Sequence, residues 1–191
     1  MNYESEMTTI VDGICEAVKQ VCEKANSGFD LEEGTRAEIY AFVLYLMMDD
    51  GSFDRAELEE LEKPMKYSID KSRLDEFIKI FRVDSEENYL SQPPEIIDVM
   101  MQADNLLYET DMDLKCVDTV MQCLNVLGEI IVNNKGFLDE GRNGRFKRFL
   151  DMVEKFQYDN AKNPAHRKES VDEELERVIP SKKGVSAPKK S

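Results

Sequence analysis

The chain has 191 residues, of which 41% are hydrophobic, and it carries a formal net charge of −15 at pH 7. This composition supplies enough apolar surface for a core, whereas the negative charge repels nucleic acid phosphates and anionic membranes. Residues 160–191 hold eight Lys/Arg and five Asp/Glu, a net charge of +3, which leaves −18 for residues 1–159. The acidic body is therefore not expected to bind DNA or RNA.

The four cysteines form two pairs, Cys15 with Cys22 and Cys116 with Cys123, each seven residues apart on a predicted helix. Seven residues of helix span about 10 Å, which is too far for a disulfide within either pair. Neither pair has the C-x-x-C spacing of a zinc or redox motif. The opening sequence MNYESEMTT also lacks the pattern of a secretion signal, so we expect reduced thiols and a cytoplasmic protein.

Two helices are predicted in the first 48 residues. Apolar residues recur at three- and four-residue steps from Met7 to Val21, which indicates a first amphipathic helix ending near Asn26. Thr35 to Glu38 has the form of a capping box and predicts the start of the second helix, which runs to about Met48. This helix is apolar on nearly all sides and is expected to be central, but its apolar run is too short to span a membrane.

The third and fourth predicted helices are amphipathic. Asp54 and Glu57 open the third, which Pro64 must end or kink. The fourth starts near Asp70 and is expected to bury a stripe that begins at Leu74.

Three more helices follow. Pro93 and Pro94 mark the start of the fifth, because proline is favoured in a first helical turn. The sixth begins at Asp113 and is expected to be long and buried, and the seventh presents an apolar face that ends at Phe156. No alternation with the period of a strand occurs in the sequence, so no sheet is predicted.

The apolar period is lost from about Tyr158, which predicts a flexible C-terminal tail. The only segment of the tail with a helical pattern is 170–178, which opens with a capping box. The sole histidine, His166, falls in this tail and is expected to be a surface residue. The basic end of the tail could contact anionic lipid, fold back on the acidic body or simply keep the protein soluble.

The predicted fold is a single all-α bundle of about seven helices, with residues 1–157 as the globular domain and residues 158–191 as the tail. A two-fold pseudo-repeat is also predicted. It aligns Gly51 with Gly136 and Asp54 with Asp139, so that each half has a buried helix, a glycine turn and an amphipathic helix.

Acidic residues at the first glycine turn are the candidate site. Asp50, Asp54 and Glu57, with Asp49 as an adjunct, place carboxylates on two consecutive helical segments. Such a group suits calcium or another divalent cation, although the spacing is not that of an EF-hand loop. The alternative is that Asp54 and Glu57 only cap the third helix. The sequence leaves both interpretations open.

The segment DGSFDRAE, Asp50 to Glu57, resembles the Asp-Gly-x-hydrophobe-Asp/Ser-x-x-Glu signature of TerB-like domains, which are tellurite-resistance-associated helical modules of the cytosol. The resemblance covers roughly residues 32–156. It implies two helical halves and metal binding by Asp50, Asp54 and Glu57. It also implies a role in stress response or tellurite resistance.

The second turn departs from that signature, because Lys135 replaces the acid before Gly136 and Arg142 replaces the later glutamate. A second metal site is therefore not expected.

The sequence predicts a non-enzymatic module that binds a divalent cation, a protein partner or both. No phosphate-binding loop or dinucleotide fingerprint occurs, and a histidine-based catalytic site would need the tail residue His166. The alternative is a partner-binding adaptor or chaperone, for example of a secretion or toxin system, with no metal site. Several methionines on predicted helices are consistent with such a partner surface, although core packing is the favoured explanation of them.

Overall fold

A computed structural model describes residues 3–24, 31–48, 55–81, 89–110, 115–133 and 140–166. These residues form seven α-helices and one short 3₁₀ helix, without strands, which confirms the predicted all-α bundle. The helices are α1 (Tyr3–Lys24), α2 (Glu32–Met47), α3 (Arg55–Met65), α4 (Lys71–Phe81), α5 (Glu95–Glu109), α6 (Cys116–Val132) and α7 (Glu140–Asn160), and the 3₁₀ helix is Pro164–His166. Within these ranges no helix is both long and apolar enough to cross a lipid bilayer.

Helix α2 is at the centre of the bundle, as its sequence predicts. Every residue from Ile39 to Leu46 is buried. The helix packs against α1, α3, α5, α6 and α7, which explains why it is apolar around its circumference. The second buried helix is α6, which packs against α1, α2, α5 and α7. The order of an apolar helix followed by a more polar one thus occurs in α2–α3 and again in α6–α7, while both glycine turns lie outside the described residues.

Helices α6 and α7 approach closely because of a glycine. A Cβ atom added to Gly128 of α6 would lie 2.3 Å from the ring of Phe146 in α7. The Phe146 ring also packs near Phe42 of α2, at a centroid distance of 6.3 Å. Gly128 therefore provides the space in which a ring of α7 packs against both α6 and α2.

Helix α4 is more peripheral than its apolar stripe predicts. Leu74, Phe77 and Ile78 are only partly buried, so the expectation of a buried stripe is wrong for these three positions. The predicted helix start is confirmed, because Asp70 Oδ1 accepts a hydrogen bond from the backbone N–H of Arg73 at 2.9 Å.

Two predicted helix starts differ from the structure. Helix α2 begins at Glu32 instead of Thr35, and the buried Thr35 hydroxyl has no hydrogen-bond partner among the described residues. Helix α6 begins at Cys116 instead of Asp113, which lies outside the described residues. The start of α6 is capped by a side chain of another helix, Asp104 of α5, whereas no side chain caps the start of α2.

The packed structure extends beyond residue 157. Helix α7 continues to Asn160, and the chain then packs on the bundle through Ala161 and His166, whose exposed fractions are 2% and 5%. The prediction that His166 is a surface residue is therefore wrong. The predicted helix 170–178 and the basic end of the chain lie outside the described residues.

Candidate functional site

The predicted metal ligands cannot be placed in three dimensions. Asp49, Asp50 and Asp54 lie outside the described residues, and so does the side chain of Glu57. Helix α3 begins at Arg55, so Asp54 is the residue before the helix and Glu57 belongs to its first turn. Over the part of the chain that is described, no three His, Cys, Asp or Glu side chains are grouped in a way that could hold a metal ion.

A buried arginine joins the first three helices. Arg36 of α2 donates through Nη2 to Asp12 Oδ1 of α1 at 2.9 Å and to Glu32 Oε1 at 2.9 Å. It also donates through Nη1 to the backbone oxygen of Met65, the last residue of α3, at 3.1 Å. This fork-shaped contact suits a guanidinium, which offers several donors in one plane.

Lys66 completes this cluster at the end of α3. It adopts a left-handed conformation with φ of 49°, and backbone N–H groups of Lys66 and Tyr67 bond back to Lys63 and Glu62 in the pattern of a Schellman cap. Glycine usually occupies this position. A lysine at this position forms an ion pair that glycine could not, since Lys66 Nζ lies 2.6 Å from Asp12 Oδ2.

The charge of Asp12 is stabilised by this cluster. Partial burial raises the pKa of Asp12, but hydrogen bonds from Lys66 and Arg36 outweigh it and hold the pKa below its usual range. All ionic groups of the cluster are paired with one another, so we assign it a structural role in fixing α1, α2 and α3.

Glu38 holds the start of a different helix. Its two carboxylate oxygens accept hydrogen bonds from the backbone N–H groups of Glu95 and Ile96 at 2.7 and 2.8 Å, in the first turn of α5. Burial raises the pKa of Glu38, and the two backbone hydrogen bonds offset this only in part. The prediction that Glu38 belongs to a capping box of its own helix is therefore wrong, because it caps α5.

Asp104 of α5 caps the start of α6. Its side chain is buried, and it accepts hydrogen bonds from the backbone N–H groups of Cys116 and Val117 at 2.7 and 3.0 Å. Burial, together with the hydrogen bond and charge of Asp104, raises the pKa of the Cys116 thiol to about 12. Little thiolate forms at neutral pH when the pKa is this high, so we expect Cys116 to react slowly with electrophiles.

An open groove, here called the acidic groove, lies between α2, α4, α5 and α7 and has a volume of about 740 Å³. Three half-buried aromatic side chains line it, one from α4, one from the segment before α5 and one from α7: Phe77, Tyr89 and Phe156. Glu38, Glu95 and Asp98 are the carboxylates of the same groove. Both oxygens of Glu38 accept hydrogen bonds from the α5 backbone. Glu95 and Asp98 are therefore the acids of the groove that can pair with a bound ligand.

A second, smaller groove lies between α1, α5 and α6 and has a volume of about 230 Å³. We call it the apolar groove. Val21, Met100, Ala103 and Leu107 contribute to its walls, and Leu106 lies at its edge with 52% of its surface exposed. Lys24 and Lys115 flank it.

Neither groove is visible in the sequence, because each collects residues from helices that are distant along the chain. The one local signal is an acid inside an otherwise apolar helical pattern, as at Glu38 and Asp104. Such an acid must find a partner when it is buried, so it indicates a contact outside its own helix.

Comparisons with known proteins give no family assignment for this chain. No family model, no curated protein and no solved structure matches the chain. The resemblance to TerB-like domains therefore depends on the DGSFDRAE segment and the order of helices.

Proposed function

We propose that this chain is a non-enzymatic, TerB-like binding module that holds a basic segment of a protein partner in the acidic groove. The observation that carries the proposal is the combination of carboxylates and half-buried aromatic side chains in one concave site of about 740 Å³. A partner segment with Lys or Arg side chains would pair with Glu95 and Asp98 and lie against the rings of Tyr89 and Phe156.

Charge outside the groove supports the same partner. The body of the protein is strongly acidic, which accelerates the approach of a basic ligand and repels an acidic one. Aromatic side chains in a partly desolvated groove supply the apolar part of the binding energy. In the family that the sequence resembles, such a module would serve stress response or tellurite resistance.

The acidic groove can be tested with a peptide that alternates lysine and leucine, titrated into the full chain and followed by NMR. We expect shifts centred on the groove and an affinity that falls with added salt. Asp98→Lys should weaken binding at least fivefold. Glu60→Lys is the matched control, because Glu60 is exposed on α3, outside the groove. Equal losses for the two variants would show non-specific attraction and contradict the proposal.

Calcium binding at the first glycine turn is the second candidate. It is supported by the acids of DGSFDRAE and by the start of α3 at Arg55, which places Glu57 in the first turn. A cation bound by the folded state alone raises the thermal midpoint as its concentration rises. We expect calcium to raise the midpoint of the parent chain but not of Asp50→Asn, which leaves the capping residues Asp54 and Glu57 intact.

Asp151→Asn is the control for the calcium experiment, because Asp151 is an exposed residue of α7. It should show the same calcium response as the parent chain. A parent chain whose midpoint does not respond to calcium would leave partner binding as the function and would remove calcium from the proposal.

A further inference from the structure

The size of the apolar groove limits what it can hold. Its volume of about 230 Å³ is below the range of about 300–1,000 Å³ that is usual for sites of small ligands and cofactors. A few apolar side chains would fill it. Leu106 at its edge is one of three large hydrophobic side chains that are exposed in the described part of the chain.

The chain leaves α7 beside this groove. Asn105 of α5 holds this exit point, because its side chain donates to the backbone oxygen of Asn160 at 3.0 Å and accepts from the backbone N–H of Lys162 at 2.7 Å. Lys162 also pairs with Glu109 of α5. Leu106 is the next residue along α5 after Asn105, so the chain leaves α7 within about one helix diameter of the groove.

Residues 170–178 have the pattern of a segment that fits this groove. Ser170 and Glu173 have the spacing of a capping box, and Val171, Leu175 and Val178 share one helical face. Ser170 is four residues after His166, the last described residue, a reach of up to about 14 Å for an extended chain. A nine-residue helix is about 13 Å long, so the linker and the helix together span up to about 27 Å, which exceeds the one helix diameter between the groove and the point where the chain leaves α7.

Charge selects the apolar groove over the acidic groove for this segment. The segment contains four acids and one Arg177, a net charge of −3: Asp172, Glu173, Glu174 and Glu176 are the acids. Lys24 and Lys115 flank the apolar groove, whereas Glu95 and Asp98 line the acidic groove. The segment is thus attracted to the first site and repelled from the second.

We propose that residues 170–178 dock as a helix into the apolar groove of the same chain, with Leu175 inserted between α1, α5 and α6. Because the segment is tethered, its effective concentration at the groove is in the millimolar range, and docking needs only modest affinity. This inference does not depend on the proposed function, since it involves a different groove and a different ligand.

The chain contains no tryptophan, so Leu175→Trp introduces a single fluorescent reporter into the full-length protein. Docking predicts blue-shifted emission and weak quenching by acrylamide. Ser186→Trp, outside the proposed helix, is the matched reporter and should emit as a solvent-exposed residue. Solvent-like emission from Leu175→Trp would overturn the proposal.

A second substitution locates the docking site. Leu106→Asp in the Leu175→Trp background should shift emission to that of exposed tryptophan and raise the quenching constant at least twofold. Val126→Asp is the control, because Val126 is also exposed, at 44%, but does not line the groove. Lys24→Glu with Lys115→Glu should act like Leu106→Asp, and provides a second test if Leu106→Asp lowers the helix content.

Two further results would contradict docking in the same chain. Blue-shifted emission that both groove variants leave unchanged would place Leu175 elsewhere. Emission that changes on dilution of the protein would show that the segment binds a second copy. Emission that is independent of concentration and sensitive to the groove variants supports the proposal.

Discussion

The Glu38 carboxylate accepts a hydrogen bond from the backbone N–H of Glu95 at 2.7 Å, although the two residues are 57 positions apart. Its second oxygen accepts from the adjacent N–H of Ile96. The first turn of α5 therefore has its cap supplied by α2, and the cap lies at the border of the acidic groove. Stability of the bundle and shape of the proposed site are coupled through this one side chain.

Glu38→Gln should lower the free energy of unfolding at pH 7 by about 1–3 kcal/mol. An amide has one oxygen to accept a hydrogen bond, and its NH₂ group would face the second backbone N–H. Urea unfolding measures the change. Glu33→Gln on the exposed face of the same helix is the control and should have a much smaller effect.

The raised pKa of Glu38 predicts that the difference in stability between wild type and Glu38→Gln depends on pH. The pKa of Glu38 is raised by burial above its ordinary value of 4.5, so the folded protein binds this proton more tightly than the unfolded chain does. The part of the stability that comes from protonation of Glu38 is fully present below pH 4.5 and is lost as the pH rises through the raised pKa, whereas the two backbone hydrogen bonds to its oxygens remain. Wild-type protein should therefore lose stability relative to Glu38→Gln over this window, and parallel pH profiles would contradict the assignment.

Arg36→Met should lower the free energy of unfolding by about 2–3 kcal/mol, because hydrogen bonds to charged groups are lost and the backbone oxygen of Met65 is left without its donor. Arg73→Met on exposed α4 is the control and should leave the urea midpoint close to that of wild type. A loss confined to Arg36→Met identifies the junction of α1, α2 and α3 as a stabilising contact.

Acid titration gives a separate test of the Asp12 contact. The pKa of Asp12 is held below its usual range. The stability that the charged Asp12 side chain contributes is therefore present above the unfolded pKa of about 3.8 and is lost as the pH falls through the folded pKa. Asp12→Asn should remove this part of the acid sensitivity. Unfolding free energies of the two proteins, measured between pH 5 and pH 2, should converge as the pH falls.

Asp104→Asn should make the Cys116 thiol more reactive. The carboxylate contributes to the raised pKa of Cys116 through its hydrogen bond and its charge, after burial itself, and an amide removes the charge. We expect the midpoint of the alkylation rate as a function of pH to fall, as resolved by mass spectrometry. Cys123 is the internal control, since burial alone raises its pKa.

Local opening of α6 would also expose Cys116, but it would give a different profile. In the opened state the thiol titrates as an exposed cysteine, so the midpoint would fall the whole way to about 8.5 instead of only part of it. An unchanged midpoint in Asp104→Asn would therefore contradict an electrostatic effect of Asp104 on the thiol.

Gly128→Ala should destabilise the protein by about 1–2 kcal/mol, even though alanine is the better helix former. The new methyl group would overlap the Phe146 ring, and the resulting overpacking should exceed the gain of roughly 1 kcal/mol in helix propensity. Gly34→Ala is the control, because nothing lies near a Cβ at that position, and it should be neutral or stabilising. Phe146→Leu should recover part of the loss in the double variant, as measured by urea unfolding.

The sequence predicts the helices better than it predicts their ends. Apolar periodicity identifies α1, α2 and α6 because each has a continuous buried stripe, as Val117, Leu124 and Ile131 show in α6. The predicted starts of α2 at Thr35, which follows from a capping-box pattern, and of α6 at Asp113 both differ from the structure. The structure places both starts elsewhere, and the cap of α6 comes from Asp104.

The candidate sites also differ in how far the sequence predicts them. The acids Asp50, Asp54 and Glu57 are adjacent in sequence and can be grouped without a structure. Both grooves require helices to be assembled first, as Asp98 and Phe156 illustrate for the acidic groove. The burial of His166 was missed for the same reason, because its packing depends on how the chain leaves α7.

The two long-range caps make the helices of this protein interdependent. Glu38 and Asp104 each supply to a later helix the acceptors that its own preceding residues do not provide. A peptide that contains only residues 95–109 or 116–132 would start without these acceptors and should be largely unstructured in water. We therefore expect α2, α5 and α6 to form together during folding, as a single cooperative unit rather than as separately stable helices.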